Sequence, residues 1–150
     1  MEYVILSVVV FAIIIGISLY KKNKLKNEGA IIDRKGDFYR QKEIFTLKPF
    51  DFVKFIDTLH TLDWKRASNW GYSESKKLII FDMGVWKAQL CLVEETGNQV
   101  TYEFKFTSWE ERNGTNIYAL QMNATLTNVE KAFLMTDPET TVRSEYVKYK

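Results

Sequence analysis

The chain has 150 residues, enough for one domain of ordinary size. Its composition, 46% hydrophobic and 27% charged, is that of a globular protein and excludes a disordered chain. The formal net charge is +2, but four lysines lie within residues 21–26 and Glu2 precedes them. The rest of the chain therefore carries 17 basic and 18 acidic residues. Such a near-neutral domain lacks the basic surface of a nucleic-acid-binding protein, and no nucleic-acid partner is expected.

The N-terminal segment, residues 3–20, is uncharged and predicts a membrane-spanning helix. A helix of this length reaches roughly 27 Å, close to the ~30 Å hydrocarbon core of a bilayer. Its Val, Ile, Leu and Phe residues favour insertion by roughly −4 to −7 kcal/mol in total. A cleaved signal peptide is the alternative, but it would have a basic N-terminus and small residues after the apolar core. We therefore predict an uncleaved single-pass anchor over residues 1–20, in the cell membrane and in contact with the lipid bilayer.

The charges around this segment predict its orientation. Four lysines follow the span and none precedes it: Lys21, Lys22, Lys24 and Lys26. Because cytoplasmic flanks carry the excess of lysine and arginine, we expect an N-out, C-in anchor with a cytoplasmic domain. Tyr3 and Tyr20 bracket the span as interfacial aromatics do. Ala12 and Gly16 form a small-xxx-small pair that supports a helix homodimer, although a lipid-facing role explains the pair equally simply.

The first part of the soluble region reads as a linker followed by a strand and a helix. Residues 21–36 predict a basic juxtamembrane linker with a short strand at 30–32, and residues 37–150 predict a soluble α+β domain. A first strand is expected over residues 43–47. Pro49 then opens a helix at its first position, with Asp51 in the first turn. Apolar residues follow at helical spacing: Phe52, Phe55, Ile56, Leu59 and Leu62.

The remainder of the domain alternates with a period of two. Strands are expected over residues 77–81, 85–93 and 100–107, with turns at 82–84 and 96–98. Asn113-Gly114 is a hairpin signal, and residues 115–122 are the predicted returning strand. Thr127 and Glu130 match a capping box that opens a helix, which Asp137-Pro138 ends, before a last strand over residues 142–149. The fold class is α+β: an antiparallel sheet with helices packed on one face, after the transmembrane helix.

No residue pattern predicts an enzyme, a cofactor or a metal site. His60, the only histidine, lies near the end of a predicted helix, and Cys91, the only cysteine, reads as a small half-buried residue. One histidine and one cysteine do not make an ordinary zinc site. The acidic pairs 94–95 and 110–111 flank turns, where neighbouring carboxylates point to opposite faces. The seven glycines are isolated, so there is no phosphate-binding loop.

The candidate binding residues lie in residues 63–75, predicted as a loop. Aromatic and basic side chains of the kind that dominate protein interfaces are concentrated there: Trp64, Lys65, Arg66, Trp70 and Tyr72. The alternative is that two of the three aromatics fold back to cap the core.

Two stretches carry a resemblance to other proteins. They are YKKNKLKNEGAIIDRKGDF after the span and NVEKAFLMTDPETTV near the C-terminus. The chain resembles a group of short uncharacterised bacterial proteins with an N-terminal anchor and a domain that ends in a characteristic block. The matching residues here are Glu130, Lys131, Phe133, Leu134, Asp137, Pro138, Thr140 and Val142. The resemblance implies a folded family and a bacterial source, and it brings no activity or site.

Two functions remain open on this basis. The leading hypothesis is a membrane-tethered protein-interaction module without enzymatic activity and with an unidentified protein partner. The alternative is a small-ligand or lipid carrier, because an aromatic-rich sheet under a helix can enclose an apolar cavity.

Overall fold

The structure is a computed structural model that describes residues 2–148, with side chains from residue 4 onward. It divides into two compact units, Met1–Asp33 and Arg34–Lys150. The expected interfacial role of the Tyr3 side chain lies outside the described residues, and so does residue 149, the end of the predicted last strand. The rest of that prediction is confirmed by a strand at Thr141–Tyr146.

The first unit is dominated by one helix, α1 (Glu2–Asn27), which is long and apolar enough to cross a membrane. None of its most apolar stretch is buried, and Phe11 is 66% exposed. The helix does not stop at Tyr20, because residues 21–27, predicted as linker, continue it. Gly29 ends the helix at φ +68°, with its N–H donating to the Lys26 carbonyl. A bond from the Ala30 N–H to the Leu25 carbonyl completes a glycine C-cap.

The strand predicted at residues 30–32 is wrong. The Ala30 N–H is committed to the cap of α1, so it cannot donate to a strand ladder, and residues 31–35 are not in strand conformation.

The second unit is built on a six-stranded antiparallel sheet of order β2-β3-β4-β5-β1-β8, which confirms the predicted fold class. A one-turn 3-10 helix (Phe38–Arg40) precedes it. The strands of this sheet are β1 (Gln41–Leu47), β2 (Trp70–Ser73), β3 (Leu78–Asp82), β4 (Trp86–Glu95), β5 (Val100–Trp109) and β8 (Thr141–Tyr146). Two short strands, β6 (Glu111–Arg112) and β7 (Thr115–Asn116), form a separate small hairpin. The helices of this unit are α2 (Phe52–His60) and α3 (Ala119–Thr136).

Buried and more exposed side chains alternate along the central strands, and the buried ones lie on the face of the sheet that packs against the helices. On β5 the buried side chains are Val100, Tyr102, Phe104 and Phe106. The predicted strands at 43–47, 77–81, 85–93 and 100–107 all form, with ends shifted by one or two residues. The turn at 82–84 also forms: Gly84 adopts φ +78°, and its N–H donates to Asp82 Oδ1 at 3.0 Å.

Aromatic rings fill the space between the sheet and the two helices. Phe133 on α3 stacks on Phe45 of β1, with ring centroids 4.4 Å apart, and lies 4.5 Å from Phe55 of α2. Tyr102 of β5 is 5.6 Å from the same ring. Trp86 is fully buried, and its indole N–H donates to Gln121 Oε1 at 2.7 Å. This packing joins β1, β4, β5, α2 and α3 in one core.

Helix α2 buries the apolar residues that were predicted at helical spacing, but it begins later than predicted. Pro49 is not its first residue: Asp51 is the N-cap and accepts from the backbone N–H groups of Val53 and Lys54. A carboxylate at this position satisfies otherwise unpaired donors and suits the helix dipole. Leu62 lies beyond the end of the helix but still packs against the core.

Helix α3 replaces the second half of the strand predicted over 115–122, and that prediction is wrong. The turn at Asn113-Gly114 forms with φ values of +51° and +74°, but β7 has only two residues. Asn116 Oδ1 then accepts from the Tyr118 N–H at 2.9 Å, which turns the chain into the helix. The capping box at Thr127 and Glu130 is also wrong, because both residues lie in the middle of α3.

Candidate functional site

The two tryptophans of the predicted interaction surface are partly buried. The Trp64 indole N–H donates to the Leu59 carbonyl at the end of α2, over 2.6 Å. Its ring lies 5.4 Å from Trp70 and 5.7 Å from Phe81 of β3. Trp70 also stacks on His60, at 4.7 Å. Trp64 and Trp70 therefore cap the core, while Tyr72 remains 51% exposed.

The segment from Asp63 to Trp70 is held by side chains of α3. Asn128 Nδ2 donates to the Asp63 carbonyl at 2.7 Å, and Gln121 Nε2 donates to the Arg66 carbonyl. Lys65 N–H donates to Asp63 Oδ1, which forms a local turn. We call residues 63–69 the basic loop. Its backbone is fixed at both ends of the turn, although residues 63–69 form neither a helix nor a strand.

The two cations of the basic loop point to solvent. Lys65 and Arg66 are exposed, and neither side chain forms an ion pair with any residue in the described range 2–148. Most other cations of the domain are paired, such as Lys48 with Glu139 and Lys87 with Asp82. The loop therefore offers positive charge that the domain itself does not neutralise.

The end of the predicted loop is a strand, β2, at one edge of the sheet. It pairs with β3 over Trp70–Ser73 without a register shift. The outer face of this hairpin, away from the helices, carries an open groove of about 390 Å³ lined in part by Gly71, Leu78 and Ile80. Ile80 is 49% exposed there. The predicted site thus consists of three adjoining parts: the basic loop, Tyr72, and an edge strand beside a shallow apolar groove.

A buried charge cluster lies elsewhere in the domain and was not predicted. The Arg34 guanidinium donates to Glu130 Oε1 at 2.9 Å, to Asn123 Oδ1 at 3.1 Å and to Thr127 Oγ1 at 3.4 Å. Its Nη1 is also 4.0 Å from Glu43, and both of these side chains are only 7% exposed. We call Arg34, Glu43 and Glu130 the buried ion cluster.

The buried ion cluster is a structural feature and not a reactive site. Glu43 accepts a hydrogen bond from Ser144 Oγ at 2.8 Å, so β1, β8 and α3 meet at these side chains. Burial raises the pKa of Glu43, and the neighbouring Glu130 carboxylate adds to this effect. A substrate has little access to side chains this enclosed. The signal in the sequence was a polar stripe at helical spacing, Asn123, Thr127 and Glu130, which the capping-box interpretation concealed.

The remaining titratable residues considered from the sequence lie apart from one another. Cys91 is half-buried on the outer sheet face, and burial raises the pKa of its thiol, which disfavours the reactive thiolate. Glu95 pairs with Lys77 at 3.0 Å. Glu111 accepts from Trp109 and Arg40, whose hydrogen bonds lower its pKa. Within residues 2–148 no three His, Cys, Asp or Glu side chains are grouped as a metal site requires.

Comparison with known proteins leaves the site to be interpreted on its geometry. The chain matches no protein-family model, no curated protein and no solved structure.

Proposed function

We propose that this protein is a membrane-tethered protein-interaction module without enzymatic activity. Helix α1 is the anchor: its apolar side chains are uncovered along its most apolar 18-residue stretch, and such a surface is stable in lipid and not in water. Lys21, Lys22, Lys24 and Lys26 extend the helix beyond the span and favour a cytoplasmic location for the domain on their C-terminal side. The bacterial membrane is the proposed location.

One observation carries the proposal: the backbone of the basic loop is held in place, while its two basic side chains are exposed and form no ion pair among the described residues. Hydrogen bonds from Asn128 and Gln121 hold the loop, and the neighbouring rings of Trp64 and Trp70 support it from the core. Lys65, Arg66 and Tyr72 are left exposed. A preformed surface loses little conformational entropy on binding, and arginine and tyrosine are the residues that contribute most at interfaces.

The alternative, a carrier for a small ligand or lipid, requires empty space between the sheet and the helices. That space holds the ring of Phe133, whose centroid lies 4.4 Å from that of Phe45 and 4.5 Å from that of Phe55. Such close packing leaves a ligand no room among these rings. The interaction module is therefore the better supported of the two proposals.

Affinity capture of the full chain from its native membrane in mild detergent tests the proposal. We expect a stoichiometric protein partner whose recovery falls roughly tenfold in the Arg66→Glu variant, because the substitution reverses an exposed charge that faces the partner. Arg112→Glu is the matched control: Arg112 is also exposed and unpaired among the described residues, but it lies in the β6–β7 hairpin. Mass spectrometry quantifies the partner.

Two results would contradict the proposal. One is the recovery of a bound lipid or metabolite in stoichiometric amount with no protein. The other is a partner that Arg66→Glu and Arg112→Glu retain equally, which would remove the basic loop from the interface.

A further inference from the structure

The two edges of the sheet differ in how they are protected. β8 carries Arg143 and Glu145, and charged side chains on an edge strand discourage pairing with another chain. β2, at the opposite edge, reads Trp70-Gly71-Tyr72-Ser73, with no charge, no proline and no bulge. Only its shortness limits pairing there. The unprotected edge is also the one that adjoins the basic loop.

The register shows which backbone groups β2 presents to solvent. The Asp82 N–H donates to the Asn69 carbonyl at 3.0 Å, so this pair is hydrogen-bonded between the two strands. Hydrogen-bonded and non-hydrogen-bonded pairs alternate in an antiparallel ladder. Gly71 and Ser73 therefore bond to β3, while the N–H and C=O groups of Trp70 and Tyr72 point outward. On the other side of β3, a bond from the Leu92 N–H to the Lys77 carbonyl agrees with this alternation.

The chemistry of these groups specifies an occupant. Donors and acceptors that repeat every second residue along a straight edge match the backbone of another extended chain. Helix α2 stands beside this edge on the inner face, where Phe52 lies 6.4 Å from Tyr72. On the outer face, no atom lies within 4 Å of a Cβ built at Gly71, so the groove beside Ile80 is open. Alternate side chains of an added strand therefore have space on the outer face, and those between them lie on the side of α2.

We infer that the β2 edge binds an extended, mostly uncharged segment of a partner protein as a seventh strand of the sheet. Lys65 and Arg66 select a segment that has an acidic residue near one end, because they are cations without a partner in the described part of the domain. The inference rests on the proposed function and gives it a binding mode.

Panning a phage-displayed library of random dodecapeptides against the full chain in lipid nanodiscs tests the inference. We expect enriched peptides with alternating apolar residues and an acidic residue. Their binding should slow amide hydrogen exchange at Trp70 and Tyr72 and leave the β8 amides unchanged. Tyr72→Pro should weaken binding roughly tenfold or more, because proline removes an outward N–H and blocks the edge. The N–H lost is not one that β2 uses to pair with β3.

The matched control is Val142→Pro, at an exposed position on the opposite edge, which should bind the same peptides within about twofold. Tryptophan fluorescence confirms that both proline variants are folded. If Tyr72→Pro is unfolded, Lys65→Glu/Arg66→Glu together with the exchange pattern decides the question. The inference is overturned if no peptide is enriched, or if the bound peptides slow amide hydrogen exchange at residues outside β2 and not within it. In either case, the proposed function would still be supported if the wild-type chain captures a protein partner and the Arg66→Glu variant does not.

Discussion

Replacing Arg34 with methionine is expected to lower the free energy of unfolding by about 3–5 kcal/mol. Arg34 is the only cation within 4.0 Å of Glu43 or Glu130 among the described ion pairs, and its side chain is 7% exposed. Without it, two enclosed carboxylates lose their countercharge, and Asn123 and Thr127 lose a donor. Denaturant unfolding of the full chain in detergent, followed by tryptophan fluorescence, measures the change.

A matched surface variant separates the effect of burial from the loss of an arginine. Arg40 is 2.9 Å from Glu111, but its side chain is 51% exposed, so Arg40→Met should lower the stability far less than Arg34→Met does. Adding Glu130→Met to Arg34→Met should restore part of the stability, since it removes an uncompensated buried charge. If the double variant is no more stable than Arg34→Met, the stability lost in Arg34→Met comes from packing and not from charge.

The second large effect is expected at Phe133, where truncation to alanine should cost about 3–5 kcal/mol. The ring is fully buried and is shared by β1, β5 and α2, through Phe45, Tyr102 and Phe55. Phe55 and Tyr102 cannot shift into the space without weakening their ring contacts with Phe50. The same unfolding measurement applies. Leu134→Ala is the adjacent control on α3: Leu134 is 44% exposed, and we expect a change below about 1 kcal/mol. Equal losses at both positions would contradict this account of the core.

The strands of the fold could be predicted where burial alternates on one face. On β4 and β5, apolar residues at every second position face the helices, and turn residues such as Gly84 mark the ends. The pattern failed at β2, because an edge strand with half-exposed aromatics has no clear alternation. Pairing with β3 alone defines it, and pairing across sequence is not visible in a local window.

The sequence predicted α3 only from Thr127 onward, and its first part, residues 119–126, escaped prediction because the helix is buried around most of its circumference. Asn123, Thr125, Thr127 and Asn128 are all buried, each with a hydrogen-bond partner, so apolar and polar residues do not separate into two faces. Thr127 and Glu130 match a capping box in sequence, but a helix already present continues through them. The hidden signal was the spacing of Met122, Leu126, Val129 and Phe133, which repeats at helical intervals.

The composition of the candidate site could be predicted, but its arrangement could not. Aromatic and basic residues in 63–72 indicated an interface, yet nothing local distinguishes Trp64, held by the Leu59 carbonyl, from the exposed Tyr72. The residues that fix the basic loop, Gln121 and Asn128, lie more than fifty residues away in sequence. The outward backbone groups of β2 follow from the register of the sheet alone.

The central claim is that α1 holds a cytoplasmic domain at the membrane, and paired C-terminal fusions of the full chain test it most directly. One fusion carries green fluorescent protein, which fluoresces only when it folds in the cytoplasm; the other carries alkaline phosphatase, which is active only after export. We predict fluorescence that stays in the membrane fraction after an alkaline wash, and an inactive phosphatase, because the lysines lie on the C-terminal side of the span. Active phosphatase would indicate the opposite orientation. Fluorescence released into the soluble fraction would contradict the anchor itself.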